Sequence, residues 1–185
     1  MAIDINLIRN KQRILITGNS EVSAIIEMIQ HVFEYVKKDF SLFHEKTGNA
    51  PILFLAASEE TEIEPGAFAK FEPHILLIHG IKEKGMPAGY TSFESYIAQF
   101  EDAADMLPKA GSYIYNEDDD VANMIGTKAR EDVNNIKYKK LTDKDLPVYL
   151  RDRDAAFIEH ASAVHALTKR VGITSEKFFE ALSKK

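Results

Sequence analysis

The sequence contains no cysteine. That excludes disulfides and thiolate metal sites, and it fits a reducing cytoplasm. No apolar run approaches the roughly 20 residues of a membrane span, and no basic-then-apolar stretch reads as a secretory leader. Positive charge is scarce as well. There are 23 Lys and Arg against 29 Asp and Glu, a net charge of −6, and the pairs Lys37-Lys38, Lys139-Lys140 and Lys184-Lys185 are dispersed and read as solvated. An acidic chain without a basic stripe is a poor electrostatic match for nucleic acid. Neither an internal repeat nor a low-complexity linker interrupts the chain. The expectation is a cytoplasmic protein whose partners include neither nucleic acid nor a membrane.

What is present suits one domain. The 185 residues can bury a sizeable core, and 45% apolar with 28% charged residues is ordinary for a globular chain. After a short lead-in over residues 1–11, Arg13 to Thr17 reads as a buried parallel strand around Ile14, Leu15 and Ile16. Gly18-Asn19-Ser20 makes a tight turn into a helix whose apolar face is Val22, Ile25, Ile26, Ile29, Val32, Phe33 and Val36. Strand, glycine turn and helix N-terminus together form the usual cradle for a phosphate.

Further strands are expected at 40–43, 52–56, 74–79 and 112–115, with an edge strand at 135–139 and a short one at 147–150. The intervening helices read as 66–71, a strong one opened by a Thr91/Glu94 capping box, one running from the acidic turn 116–120 through Ile125, 153–170, and 175–184. Residues 44–50 and the acidic run 58–65 read as loops. Strands alternating with helices predict a three-layer α/β domain, a mainly parallel sheet with helices on both faces.

Four segments in sequence carry a resemblance: ILITGNSEVSA, EPHILLIHGI, TSFESYIAQFEDAADMLPKAGSYIYNEDDD and VGITSEKFFEALSKK. They resemble the central, ATP-binding domain of the Mur ligases, in the muramate–alanine and muropeptide ligase branch. Those enzymes join amino acids or peptides to UDP-N-acetylmuramate in peptidoglycan synthesis. The most specific stretch matches at Phe100, Leu107, Pro108, Gly111, Tyr115, Asn116, Asp118 and Asp119. The resemblance spans about residues 12–183 and implies a single domain with the P-loop-like fold. Counterparts of the family's N-terminal UDP-binding and C-terminal domains are not expected in residues 1–185.

The functional residues of the family pattern are degenerate here. Its phosphate loop, G-T-x-G-K-[ST]-[ST], aligns with Gly18, Asn19, Ser20, Glu21, Val22, Ser23 and Ala24. Gly18 and Ser23 remain, Glu21 replaces the second glycine, and Val22 replaces the lysine that reaches the transferred phosphate. A carboxylate at a helix N-terminus is favoured by the dipole and repels a phosphate. The stretch expected to supply a metal-binding Asp-His reads Lys84-Gly85, and the later His-Asn-x-x-Asn-Ala pattern, falling near Ala156, Phe157, His160 and Ala161, lacks its asparagines. Phosphoryl transfer depends on charge neutralisation by Lys and metal ions.

Candidate sites follow, each beside a plainer reading. Gly18, Asn19, Ser20, Ser23 and Asn116 are nucleotide- or anion-binding candidates. The plainer reading is a strand-to-helix turn with Ser20 as N-cap, and a cap formed by Asn116, Asp118 and Asp119. His79, Lys82 and Lys84 could line a crevice where α/β sheets bind ligands, against a structural histidine and a solvated loop. Glu60 and Glu62, with Glu59 and Glu64 nearby, are weak magnesium candidates in a loop otherwise read as solvated. No two histidines are spaced i, i+4, and His160 and His165 share a helix face poorly, so no zinc site is expected.

The leading expectation is a non-catalytic Mur-ligase-like binding or interaction module that needs no cofactor and acts through self-association or a protein partner. The alternatives are an ATP- and magnesium-dependent ligase with a divergent phosphate loop, and a small-molecule binder at the strand ends.

Overall fold

The structure, a computed structural model, describes residues 5–18, 21–43, 49–57, 67–87 and 89–185. A short helix α1 (Ile5–Ile8) leads into β1 (Gln12–Thr17), α2 (Val22–Tyr35), β2 (Phe40–Leu42) and β3 (Ile52–Ala57). Then come α3 (Ala67–Phe71), β4 (Ile75–Ile78), α4 (Phe93–Asp105), β5 (Ser112–Asn116), α5 (Asp120–Thr127) and β6 (Asn134–Tyr138). A 3-10 turn at Val148–Leu150 precedes α6 (Ala155–Arg170) and α7 (Ser175–Leu182). The six strands form one sheet in the order β2-β3-β1-β4-β5-β6. Every pair is parallel.

The expected three layers are present, and strand periodicity explains them. Alternate residues point to opposite faces. Ile14, Ile16, Phe54, Ile75, Leu77 and Ile114 meet α2, α6 and α7. Leu15, Leu55, Leu76, Ile78, Tyr113 and Tyr115 meet α3, α4 and α5 on the other face. β1 is buried on both faces, which is why its sequence is a continuous apolar run rather than an alternating one. On the first face Phe33, Phe40 and Phe54 pack edge to face with centroids 5.2–5.9 Å apart. At the other end of β1 the buried Arg13 donates to the carbonyls of Ile8, Arg9 and Glu72, tying α1 and the start of β4 to the sheet.

Three local expectations are corrected. The cap of α4 is Ser92, one residue later than Thr91. Ser92 is extended, its Oγ accepts from the Ser95 amide at 3.2 Å, and the Ser95 hydroxyl reciprocates. Residues 147–150 form a 3-10 turn, not a strand, because Leu150 alone turns inward while Val148 and Tyr149 are exposed. Glu21, not Ser20, is the residue that opens α2. Residues 44–48 of the loop expected at 44–50, and all of the loop expected at 58–65, lie outside the described residues. Among the described residues no helix is long and apolar enough to cross a membrane.

His165, on α6, lies against the rings of Phe178 and Phe179 at 5.0–5.1 Å, with Nε2 2.8 Å from the Ser175 hydroxyl. Burial, helped by Lys169 and opposed by Asp145, lowers its pKa from 6.5 to about 4. Above pH 6.5 both folded and unfolded states hold it neutral. Below that the unfolded chain takes up a proton that the folded one refuses, so stability falls as pH drops from 6.5 towards 4. Urea midpoints measured across this window should decline, and less steeply in His165→Gln.

Candidate functional site at the carboxyl end of the sheet

The site is set by where the chain turns. From β1 it passes through α2 towards one edge of the sheet, whereas from β4, the adjacent strand, it passes through α4 towards the other. The carboxyl ends of β1 and β4 therefore flank a topological switch point, where open α/β sheets place ligands. The two loops touch. Gly18 has φ 148°, and a Cβ there would stand 2.8 Å from the Gly80 carbonyl oxygen. Only glycine satisfies both the backbone angle and that approach.

Glu21 follows with φ 57° and ψ 16°, left-handed backbone that a side chain adopts at a cost. Its side chain does not cap α2. Instead Oε2 lies 2.8 Å from Nε2 of His160, and the carboxylate is 51% exposed. His160 sits in the second turn of α6, which packs on α2. His79, one residue beyond β4, is only 4% exposed. Its Nδ1 is 2.9 Å from the Tyr138 hydroxyl, and its ring centroid is 5.9 Å from that of His160. One donor atom from each of Glu21, His79 and His160 lies within 4.8 Å of the others.

Burial lowers the pKa of His79, with Glu159 and Glu21 opposing and His160 and Lys82 reinforcing the shift. Burial raises that of Tyr138, which stays a phenol. The site thus combines a neutral buried imidazole, a second imidazole and a carboxylate open to solvent. Such a donor set can hold a divalent cation or pass a proton.

The acidic turn after β5 has structural work. Asn116 Oδ1 accepts from the Asp118 amide at 3.1 Å. Asp119 caps α5 through the Ala122 amide at 2.8 Å, and its second oxygen accepts from the Ile81 amide at 3.0 Å. That last bond joins the β5 loop to the β4 loop. Glu117 pairs with Lys137 and Lys139.

Of the residues expected from sequence, Gly18, His79 and Asn116 lie at this end of the sheet. Ser23 is exposed in the first turn of α2, and Lys82 and Lys84 are exposed in the loop beyond β4. Asn19, Ser20, Glu60 and Glu62 lie outside the described residues. Val22, at the position the resemblance gives to the phosphate-loop lysine, is 1% exposed and packed in the core. Sequence reasoning missed the joining of Glu21, His79 and His160. A search for pairs along one helix is blind to three donors on three separate elements, which the β1–β4 pairing and the packing of α6 on α2 bring together. Two clefts of about 460 and 440 Å³ lie elsewhere, one at the amino ends of the strands beside Arg9 and His74, the other between β6 and α6.

No protein-family model matches the sequence, and neither does any curated protein sequence. Solved structures do match the fold. The UDP-N-acetylmuramate:L-alanyl-gamma-D-glutamyl-meso-diaminopimelate ligase of Neisseria meningitides superposes with TM-score 0.72 at 13% identity, over 96% of this chain and 67% of that one. MurF of Acinetobacter baumannii gives 0.71 at 13% identity, over 96% and 47%. The UDP-N-acetylmuramate-alanine ligase MurC of Thermotoga maritima gives 0.69 at 18% identity, over 97% and 46%. The fold is that of the Mur ligase central domain. The chain spans less than half the length of the latter two structures.

The contact between the two loops is testable by stability. Gly172, beyond α6, also has positive φ (83°), but nothing lies within 4 Å of its Cβ position. Gly172→Ala should lower stability by about 1 kcal/mol, the cost of the backbone angle alone. Gly18→Ala adds a backbone clash and should cost clearly more, read from urea denaturation of both variants.

Proposed function

We propose that this chain, built on the Mur ligase central-domain fold, is a binding module of the cytoplasm that does not carry out ATP-driven ligation. One observation carries the reading: at the amino end of α2, where the fold offers its phosphate cradle, stand the carboxylate of Glu21 and the buried side chain of Val22. A carboxylate there opposes a phosphate, and a buried valine supplies no charge to neutralise one. Lys84 and Gly85 stand where the resemblance calls for a metal-binding Asp-His, and Asn116 and Asp119 are engaged in turn and cap bonds. These residues do not fit a magnesium nucleotide. What the fold retains is the switch point itself, where His79 and the turn after β5 come together at the carboxyl ends of the strands, and binding is placed there. Self-association or a protein partner is consistent with this reading.

The rival is an ATP-dependent ligase of peptidoglycan precursors with a divergent phosphate loop. It is favoured by the likeness, across almost the whole chain, to enzymes named as UDP-N-acetylmuramate ligases. Calorimetric titration with ATP and magnesium separates the two. The unmodified chain should give no binding heat, and the double substitution Glu21→Gly, Val22→Lys should recover weak binding. Tight, magnesium-dependent binding by the unmodified chain would return it to the ligases.

A further inference from the structure

We infer that Glu21, His79 and His160 form a binding site for a divalent first-row transition ion of the zinc class. The inference does not depend on whether the chain binds ATP. Two imidazoles and one carboxylate are a donor set that suits zinc, and a poor one for magnesium, which takes oxygen ligands in octahedral array. The three donors come from three places in the fold: the start of α2, the end of β4 and the second turn of α6. Sheet register and the packing of α2 on α6 fix them, not proximity in sequence.

The distances are close to those required. The donor atoms lie within 4.8 Å of one another. On a tetrahedral zinc with bonds of about 2.1 Å they would stand roughly 3.4 Å apart, so the Glu21–His160 pair, at 2.8 Å, would open slightly, and the widest separation, no more than 4.8 Å, would close by about 1.4 Å at most. Glu21 can supply part of that movement. Its side chain is half-exposed, it caps nothing, and its bond in the structure is to His160, another member of the cluster. The ion would replace the proton shared by that pair.

The surroundings support the same assignment. Tyr138 occupies Nδ1 of His79 at 2.9 Å, which orients the ring and leaves Nε2 as the coordinating nitrogen. An outer partner on the far ring nitrogen is the usual support for a metal-bound histidine. Three protein donors leave a fourth position open on the solvent side, where Glu21 emerges. Water, or an oxygen donor of a bound ligand, completes the shell there.

The test is titration of the metal-free chain with zinc in competition with a chromophoric chelator, with magnesium as control and cobalt as a spectroscopic probe. One equivalent of zinc per chain is expected, with the visible bands of four-coordinate cobalt and no competition from magnesium. Tyr138→Phe should weaken zinc about tenfold, as loss of an outer partner does. Glu21→Gln and His160→Gln should each weaken it more than that. Glu21 is exposed, so Glu21→Gln tests the site in a chain whose core is untouched, and circular dichroism verifies that it is folded. Failure of the unmodified chain to take up zinc overturns the inference. So does uptake that is unchanged in both Glu21→Gln and His160→Gln. Neither result bears on ATP binding, which is read by a separate titration.

Discussion

The pairing of β1 with β4 at the middle of the sheet is the constraint on which the rest of the molecule depends. It sets the point at which successive crossovers part to opposite edges. It also forces two loops together so closely that Gly18 meets the backbone of Gly80. Everything chemically distinctive lies on those loops or reaches towards them. Glu21 follows the first and His79 begins the second. Asp119 ties the second to the loop after β5 through the Ile81 amide, and His160 comes down from α6 onto Glu21.

Glu21 is where the two halves of the functional argument meet. In the resembled family its position belongs to a glycine, and the backbone here still has the left-handed angle for which glycine is suited. At that backbone angle the chain carries a carboxylate. That carboxylate bonds to His160, and α2 begins without a side-chain cap from Glu21. A non-glycine residue at a left-handed angle breaks a local rule, and such residues cluster at functional sites.

Much of the fold was legible in the sequence because periodicity is a local signal. The apolar run at Ile14–Ile16 and the stripe Val22, Ile25, Ile29, Val32 and Phe33 report burial directly, and both lie where they were expected. The helix cap moved by one residue because Ser92 and Ser95 can make the same pair of bonds as Thr91 and Glu94, and sequence alone does not rank them. The turn at Val148–Leu150 resembled a strand because three residues are too few to show a period. The cluster of Glu21, His79 and His160 was not legible at all. It depends on α6 lying over α2, a long-range contact that no local pattern encodes.

The position of β1 has a consequence for how the chain is made. Of the six strands, the one at the centre of the sheet is made first, yet its neighbours, Ile52–Ala57 and Ile75–Ile78, follow only after tens of residues. Until they emerge, Ile14, Leu15 and Ile16 have no sheet to join, and α2 has no floor to pack on. The nascent chain must carry this apolar segment through that interval, and exposed apolar surface of that kind is what makes incompletely folded chains prone to aggregate. Order of synthesis thus leaves the central strand, buried from Arg13 to Thr17, to wait for both of its partners.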